Sequence, residues 1–159
     1  MAKTLSQLKP ASADDAAPRL DLGGLDDLVG FHQRMAMIAV YRNFTQHLQP
    51  LDLTQKQAGV LWLIAANGGV SQITLANAVL MDRASMMAII DRLENRGLII
   101  RRKSASDGRK QELYLTPKGR QLTAQSKAAV GKCEAWIKSH FATQPELDAF
   151  VAALKRIHG

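Results

Sequence analysis

Residues 82–103 of the chain read DRASMMAIIDRLENRGLIIRRK and combine two patterns. The apolar residues from Met86 to Leu93 recur at the three- and four-residue spacing of one helix face. Gly97 stands where a helix commonly ends, and the run that follows it is β-branched and basic. The sequence therefore predicts a helix followed directly by a positively charged strand.

The residues on either side of the basic run predict a hairpin. One strand covers 98–103, and a second over 111–116 alternates between polar and apolar side chains. Residues 104–110 between them are rich in turn formers and carry Asp-Gly at the tip.

Two further helices are expected before residue 82. Ser71 can cap a short one, and Asp52 or Thr54 can cap a longer one that runs through Ala66. Two helices joined by a tight turn and followed by a hairpin predict a winged helix-turn-helix lobe over residues 52–116.

Helices flank this lobe on both sides. One is expected over 25–48, and its segment 35–41 is apolar around nearly the whole circumference, so that a partner subunit is needed to cover it. Two more are expected within 117–157, because Thr116-Pro117 and Thr143 form helix starts. The predicted fold is mainly α with a small β-hairpin wing: a winged helix-turn-helix lobe on an all-α dimerisation base. Residues 1–22 are expected to form a mobile N-terminal arm, and residues 23–159 one domain.

Composition and charge limit the classes of function that the protein can have. The 159 residues are 47% apolar with a net charge of +7, and residues 82–120 hold ten basic and five acidic side chains. Such a local excess indicates a polyanion site, although a solvated face is an equal alternative. The longest apolar run has seven residues and no signal-peptide pattern is present, so we expect a cytoplasmic protein without membrane contact.

The chain shows no enzyme motif. It contains neither a Gly-rich phosphate loop, nor Gly-x-Ser-x-Gly, nor His-Glu-x-x-His, and its four histidines lack metal-ligand spacing. We therefore expect no catalysis, no metal and no cofactor. The single Cys133 is expected to be a packing residue, with a redox sensor as the alternative. A winged-helix module that binds other proteins also stays open.

Three blocks of sequence resemble the MarR family of transcriptional regulators. They are DRLENRGL at 91–98, Asp107-Gly108-Arg109, and LTPKG at 115–119, in the family's order and separation. The resemblance covers about residues 25–157. It implies a homodimer that reads a pseudo-palindromic operator in double-stranded DNA as a repressor.

The resemblance assigns base contacts to the second helix of the motif. Arg83 and Ser85 are implied to reach base edges or phosphates, with helix capping as the alternative. Met87 and Ala88 stand where many relatives carry threonine and arginine, so they can contact a thymine methyl group but cannot pair with guanine. Direct readout of bases is therefore expected to be modest. Leu80 occupies a position where many relatives have glycine, which leaves the turn geometry open.

The resemblance also assigns contacts to the wing. Arg109 is implied to enter the minor groove, held by an ion pair with Asp107, and a solvated loop charge is the alternative. Relatives often place a second arginine at Gly108. The implied contacts to the phosphate backbone are Arg101, Arg102, Lys103 and Lys110. Arg92 and Arg96 could contact DNA, or they could equally well pair with other surface side chains.

Arg34 and Arg42 suggest a site for an anionic effector on the first flanking helix. They lie eight residues apart in an otherwise apolar segment, and an ion pair with the partner subunit is the alternative. The proposed lining residues are His32, Arg34, Met35, Ile38, Tyr41, Arg42 and Trp62. Segments 29–44 and 82–87 further resemble a subgroup that responds to hydroxycinnamoyl-CoA thioesters, such as feruloyl-CoA or p-coumaroyl-CoA. A free phenolic acid or an oxidant is the alternative signal.

Overall fold

A computed structural model describes residues 20–104 and 111–159. Within those ranges the chain forms six α-helices and one two-stranded antiparallel sheet. The elements are α1 (Val29–Leu48), α2 (Gln55–Ala66), α3 (Gln72–Ala78), α4 (Arg83–Asn95), β1 (Ile99–Lys103), β2 (Gln111–Leu115), α5 (Pro117–Lys138) and α6 (Gln144–His158). The predicted mainly helical fold with a hairpin wing is confirmed, while most of the predicted N-terminal arm and the hairpin tip lie outside the described residues.

The first helix begins later than the sequence suggested. Leu25–Asp27 form a separate 3-10 turn, preceded by Gly24 at φ 84°. Leu28 is extended, at φ −92° and ψ 123°, so helical hydrogen bonding cannot continue through it. The expected start of α1 at Leu25 was therefore wrong by four residues.

The predicted N-caps of α2, α3, α5 and α6 are confirmed, and Asp82 caps α4 without having been predicted. Thr54 forms a full capping box with Gln57 at α2, and Ser71 accepts the Thr74 N–H at α3. The Asp82, Thr116 and Thr143 side chains accept backbone N–H groups at α4, α5 and α6 in the same way. At its other end α5 stops at Lys138. Local side-chain chemistry thus determines where five of the helices start.

Three helical segments, at the ends of α1, α3 and α4, finish in the same backbone motif. The N–H groups of Leu53, Met81 and Leu98 donate to the carbonyls five residues earlier, at 3.3, 2.9 and 2.9 Å. This is the Schellman arrangement, in which the residue just before the donor takes a left-handed conformation. Those residues are Asp52 at φ 50°, Leu80 at φ 49° and Gly97 at φ 68°.

The hairpin strands pair from Ile99 opposite Leu115 to Lys103 opposite Gln111. Val70, between α2 and α3, adds an isolated bridge to Leu113, with hydrogen bonds of 3.0 Å in both directions between the two chain segments. The wing is therefore attached by backbone hydrogen bonds to the chain segment in front of α3.

A single apolar cluster connects the lobe with α1 and α5. The α4 residues Met86, Ile90 and Leu93 are fully buried in it, as predicted, and Ile89 is partly buried. Gly119, in the first turn of α5, lies directly against the Leu98 carbonyl. A β-carbon at this glycine would come within 1.9 Å of that oxygen.

Two outer helices carry apolar side chains that the chain itself leaves uncovered. On α6 these are Phe150, Val151, Leu154 and Ile157, which are 37–70% exposed; on α1 they include Met35 at 49% and Met37 at 62%. In the described parts of the chain, no single helix is long and apolar enough to cross a membrane. The helices α3 and α4 reach that length and apolar composition only when they are counted together, and the chain bends by 119° between them.

Candidate nucleic-acid interface and effector site

The outward face of α4 is the central feature of the candidate interface. The buried stripe of the helix turns its other side to solvent, and the exposed side chains there are Arg83, Ala84, Ser85, Met87 and Ala88. Four of these five were predicted as DNA contacts from the sequence. The fold brings them together on the first two turns of one helix, at its N-terminus.

Asp82 and Ser85 form the N-terminal cap of this helix. The Ser85 N–H donates to Asp82 Oδ1 at 2.8 Å. Hydrogen bonds from the Ser85 backbone and from its side chain lower the pKa of Asp82 below its ordinary value. For Ser85 the capping contact is therefore present in the structure, through its backbone N–H.

Arg101 is held by α4. Its guanidinium forms ion pairs with both Asp91 and Glu94, and its side chain is only 24% exposed. The sequence analysis implied a phosphate-backbone contact for Arg101; the structure shows that its charge is paired with α4, and the contact with DNA stays a prediction. Strand alternation could have revealed this, because Arg101 lies on the same strand face as the buried Ile99.

Arg102 lies on the opposite strand face and is exposed. Its guanidinium carbon is 5.3 Å from the centre of the Tyr114 ring, and the Tyr114 hydroxyl donates to Glu112 Oε2 at 2.8 Å. The hydrogen bond to the Glu112 carboxylate raises the pKa of Tyr114. This aromatic contact supports the Arg102 side chain while leaving it accessible. Lys103 is exposed as well, whereas Asp107, Arg109 and Lys110 lie outside the described residues.

Arg96 connects the end of α4 to the turn before α2. Its guanidinium donates to the carbonyls of Leu51 and Asp52 and lies 3.4 Å from the Asp52 carboxylate. Lys118 in turn donates to the Arg96 carbonyl at 3.0 Å. The sequence analysis left the role of Arg96 open, since its partners lie more than 40 residues away along the chain.

A cavity of about 520 Å³ adjoins this connection. It lies between the second half of α1, the start of α2 and the end of α4. Its lining residues are Tyr41, Thr45, Gln49, Asp52, Leu53, Thr54, Gln55, Gln57, Arg92, Asn95 and Arg96. Of the seven predicted effector residues, only Tyr41 contacts this cavity.

Helix geometry separates the other predicted effector residues into two groups. At 100° per residue, Ile38, Tyr41 and Arg42 lie within about 80° of Arg34, on the α1 face that leads to the cavity. His32 is turned by about 160° from Arg34, and its Nε2 lies 2.6 Å from the Asp26 carbonyl oxygen. Met35 lies about 100° from Arg34. No described carboxylate pairs with Arg34 or Arg42.

Trp62 is placed away from the cavity. Its indole N–H donates to Ser126 Oγ at 3.1 Å, and the Lys127 ammonium nitrogen is 5.4 Å from its ring centre. Trp62 thus packs between α2 and α5. The expected single pocket of α1 residues with Trp62 is therefore not formed within the described chain.

Cys133 is buried at the α1–α5 contact. It is 0% exposed, and its Sγ lies 3.6 Å from the Ala129 carbonyl and 3.8 Å from the Asn43 carbonyl. Burial raises the pKa of this thiol. A thiol that is buried and protonated reacts slowly with oxidants, which favours the packing role.

Comparison with known proteins gives a consistent result. A sequence profile described as the MarR family matches residues 51–110. A protein of Thauera aromatica, assigned as a transcriptional regulator for the hcr operon, is 34% identical over 151 residues. That match covers 94% of this chain and 89% of the relative.

Two solved structures of the repressor CouR have the same fold. The form bound to a 23-mer DNA duplex has a TM-score of 0.82 and 33% identity, over 88% of this chain and 99% of that one. The form bound to p-coumaroyl-CoA has a TM-score of 0.79 and 31% identity, over 87% and 97%. The chain therefore belongs to the MarR family of transcriptional regulators, which are dimeric DNA-binding proteins and not enzymes.

Proposed function

We propose that this protein is a homodimeric repressor that binds a pseudo-palindromic operator and is released by a hydroxycinnamoyl-CoA thioester. The main support is the winged helix-turn-helix lobe, which carries an exposed face on α4 beside the basic hairpin and matches the DNA-bound form of CouR at a TM-score of 0.82. Its place of action would be the cytoplasm, where the operator is accessible.

The proposed DNA contacts divide between the grooves and the backbone. Helix α4 would lie in the major groove, with Met87 and Ala88 facing the bases and Arg83 at the edge of the contact. Arg109 would enter the minor groove with Asp107 beside it, while Arg102 and Lys110 would bind phosphates. Arg101 would act indirectly, because its charge is already paired with α4.

A substitution at the wing tests the DNA-binding proposal. Arg109→Ala should weaken binding to DNA from upstream of the protein's own gene by roughly tenfold to a hundredfold, with the dimer intact. Lys132→Ala, which removes an exposed charge from α5, is the matched control and should bind like the parent protein. Equal binding by Arg109→Ala and the control would remove the wing from the proposed interface.

The effector proposal rests on the α1 face that leads to the cavity. Arg34 and Arg42 are about 12 Å apart along the helix, a span that suits phosphates spread along an extended ligand. Ile38 and Tyr41 lie between them and offer contacts to an aromatic acyl group. Support also comes from CouR, which has been solved with p-coumaroyl-CoA at 31% identity to this chain.

The cavity gives the ligand a route to the DNA-binding helix. Arg92 and Arg96 line it and belong to the last turns of α4, and Tyr41 belongs to α1. An anion held between these helices would attract Arg96 away from Asp52, so ligand binding and the position of α4 would be coupled.

Calorimetry on p-coumaroyl-CoA and free p-coumaric acid tests the ligand class. Arg34→Gln and Arg42→Gln should each weaken thioester binding by about tenfold, as expected for loss of a charge-assisted contact. Arg156→Gln on α6 is the control. Tighter binding of the free acid than of the thioester would favour the phenolic-acid alternative. Conversion of either variant to a monomer would favour the inter-subunit ion pair.

A further inference from the structure

Three of the five exposed residues on the first two turns of α4 are apolar. Ala84, Met87 and Ala88 lie three and four residues apart, so they form one patch on the helix face. All three are exposed, and the Met87 side chain is 51% exposed although it is large and apolar. Leu80, in the turn just before the helix, is 88% exposed.

Polar groups on the same two turns are engaged or peripheral. Ser85 has only a short hydroxyl side chain, and its backbone N–H donates to the Asp82 carboxylate that caps the helix, at 2.8 Å. Arg83 is the first residue of α4, at the edge of the patch, and its carbonyl accepts a hydrogen bond from Gln72 at 3.5 Å. Residues 84–88 therefore offer no free side chain that could form a bidentate hydrogen bond to a base.

The major groove contains one apolar group that such a surface can recognise, the 5-methyl group of thymine. Cytosine, the other pyrimidine, lacks this methyl and presents an amino group where thymine presents its O4 carbonyl. An apolar patch that replaces water next to a thymine methyl gains free energy, and the same patch against an unmatched amino group loses it.

We infer that α4 selects its half-site through thymine methyl groups, an inference that rests on the proposed operator binding. Met87 and Ala88 are the specificity-determining residues. Each half-site then carries thymines where the N-terminal half of α4 lies. Base readout there depends on thymine methyl groups, and it stays modest because each methyl contact changes the affinity by only about fourfold.

Substitution of deoxyuridine for thymine tests this inference, because uracil pairs identically and lacks only the methyl group. The operator is first located by hydroxyl-radical footprinting upstream of the gene, and single thymines under α4 are then replaced. Each lost methyl contact should weaken binding by about fourfold, the value for one buried CH₂-sized group. The same replacement outside the footprint is the control and should have no effect.

A substitution of Met87 tests whether this residue is the one that recognises the thymine methyl group. Met87→Gln keeps the length of the side chain and removes its apolar character, so it should reduce the preference for the thymine operator over the uracil operator, while Ala88 keeps its own methyl contact. Uracil operators that bind the parent protein as tightly as thymine operators would overturn the inference, with operator binding itself unaffected. An unchanged thymine preference in Met87→Gln would overturn the assignment to Met87. Failure to footprint any operator would instead count against the proposed function.

Discussion

Leu80 adopts a backbone conformation that favours glycine. At φ 49° it occupies the left-handed position of the Schellman motif that ends α3. For an L-residue this conformation costs roughly 1–2 kcal/mol. Asp52 and Gly97 take the same position at the other two helix ends, and both tolerate it better, Asp52 through its short polar side chain and Gly97 because it lacks a β-carbon.

Replacement of this leucine should therefore stabilise the protein. Leu80→Gly should gain up to about 1 kcal/mol, since relief of the left-handed strain exceeds the extra chain entropy of glycine in the unfolded state. Leu80→Ala is the control, because it shortens an exposed side chain and keeps the strain. Thermal melts compare the two variants, and a melting temperature of Leu80→Gly below that of Leu80→Ala would contradict the expected strain.

Arg101 illustrates how one residue can serve DNA binding without contacting DNA. Its ion pairs with Asp91 and Glu94 hold β1 against α4. A guanidinium can bridge two carboxylates, whereas an ammonium group is a point charge. Arg101→Lys therefore keeps the charge but loses the ability to bridge Asp91 and Glu94. The two possible roles of this residue therefore predict different results.

The salt dependence of operator binding distinguishes these roles. If Arg101 positions the wing, Arg101→Lys and Arg101→Gln should both weaken binding while the slope of log K against log salt stays constant. A phosphate contact would instead let lysine restore affinity, and glutamine would reduce the slope by about one. The measurement is fluorescence anisotropy over a series of salt concentrations.

At the scale of elements, the start of α5 depends on close approach to the chain before β1. Gly119 contacts the Leu98 carbonyl so closely that a β-carbon would lie 1.9 Å from the oxygen. The Thr116 hydroxyl also donates to the Gly97 carbonyl at 2.7 Å. These contacts fix α5 relative to the wing and therefore connect the dimerisation base to the DNA-binding lobe.

Gly119→Ala should destabilise the protein by more than about 3 kcal/mol, because backbone must move to admit the methyl group. Gly59→Ala is the matched control. Its β-carbon would meet nothing within 4 Å, so this change in the interior of α2 should stabilise by up to about 1 kcal/mol. Urea denaturation of both variants measures the difference. An equal change in the free energy of unfolding for the two variants would exclude the close contact.

The sequence predicted elements whose signals are local and missed those that depend on distant partners. Thr54, Ser71 and Thr116 were identified as caps because a cap needs only the next three residues. The partners of Arg96 lie in the turn before α2, and no local sequence pattern predicts them. Trp62 was grouped with α1 because both are apolar, although its direction is decided by packing against α5.

At the scale of the whole molecule, the uncovered apolar residues of α6 mark the surface that a second subunit should cover. Phe150, Val151, Leu154 and Ile157 recur on one side of α6 and are exposed in the single chain. Contiguous exposed apolar surface of this kind is typical of an interface between subunits. A two-fold dimer would use the same patch on both copies.

Leu154→Asp should convert the dimer to monomers, because two carboxylates would be buried across the two-fold axis without partners. Ala149→Asp introduces the same charge about 140° away around the helix and should leave the dimer intact. Analytical ultracentrifugation measures both. A dimeric Leu154→Asp would place the interface elsewhere. A monomeric variant should also lose operator affinity, since each subunit then binds only one half-site.

The central claim is that one dimer binds a specific operator and that a CoA thioester releases it. Fluorescence anisotropy of the protein on DNA from upstream of its own gene tests both parts, with feruloyl-CoA, p-coumaroyl-CoA and the two free acids added in turn. We predict tight binding that resists non-specific competitor DNA and is reversed by the thioesters but not by the acids. Weak binding that is indifferent to sequence would contradict the claim, and tight binding that no thioester reverses would contradict its ligand.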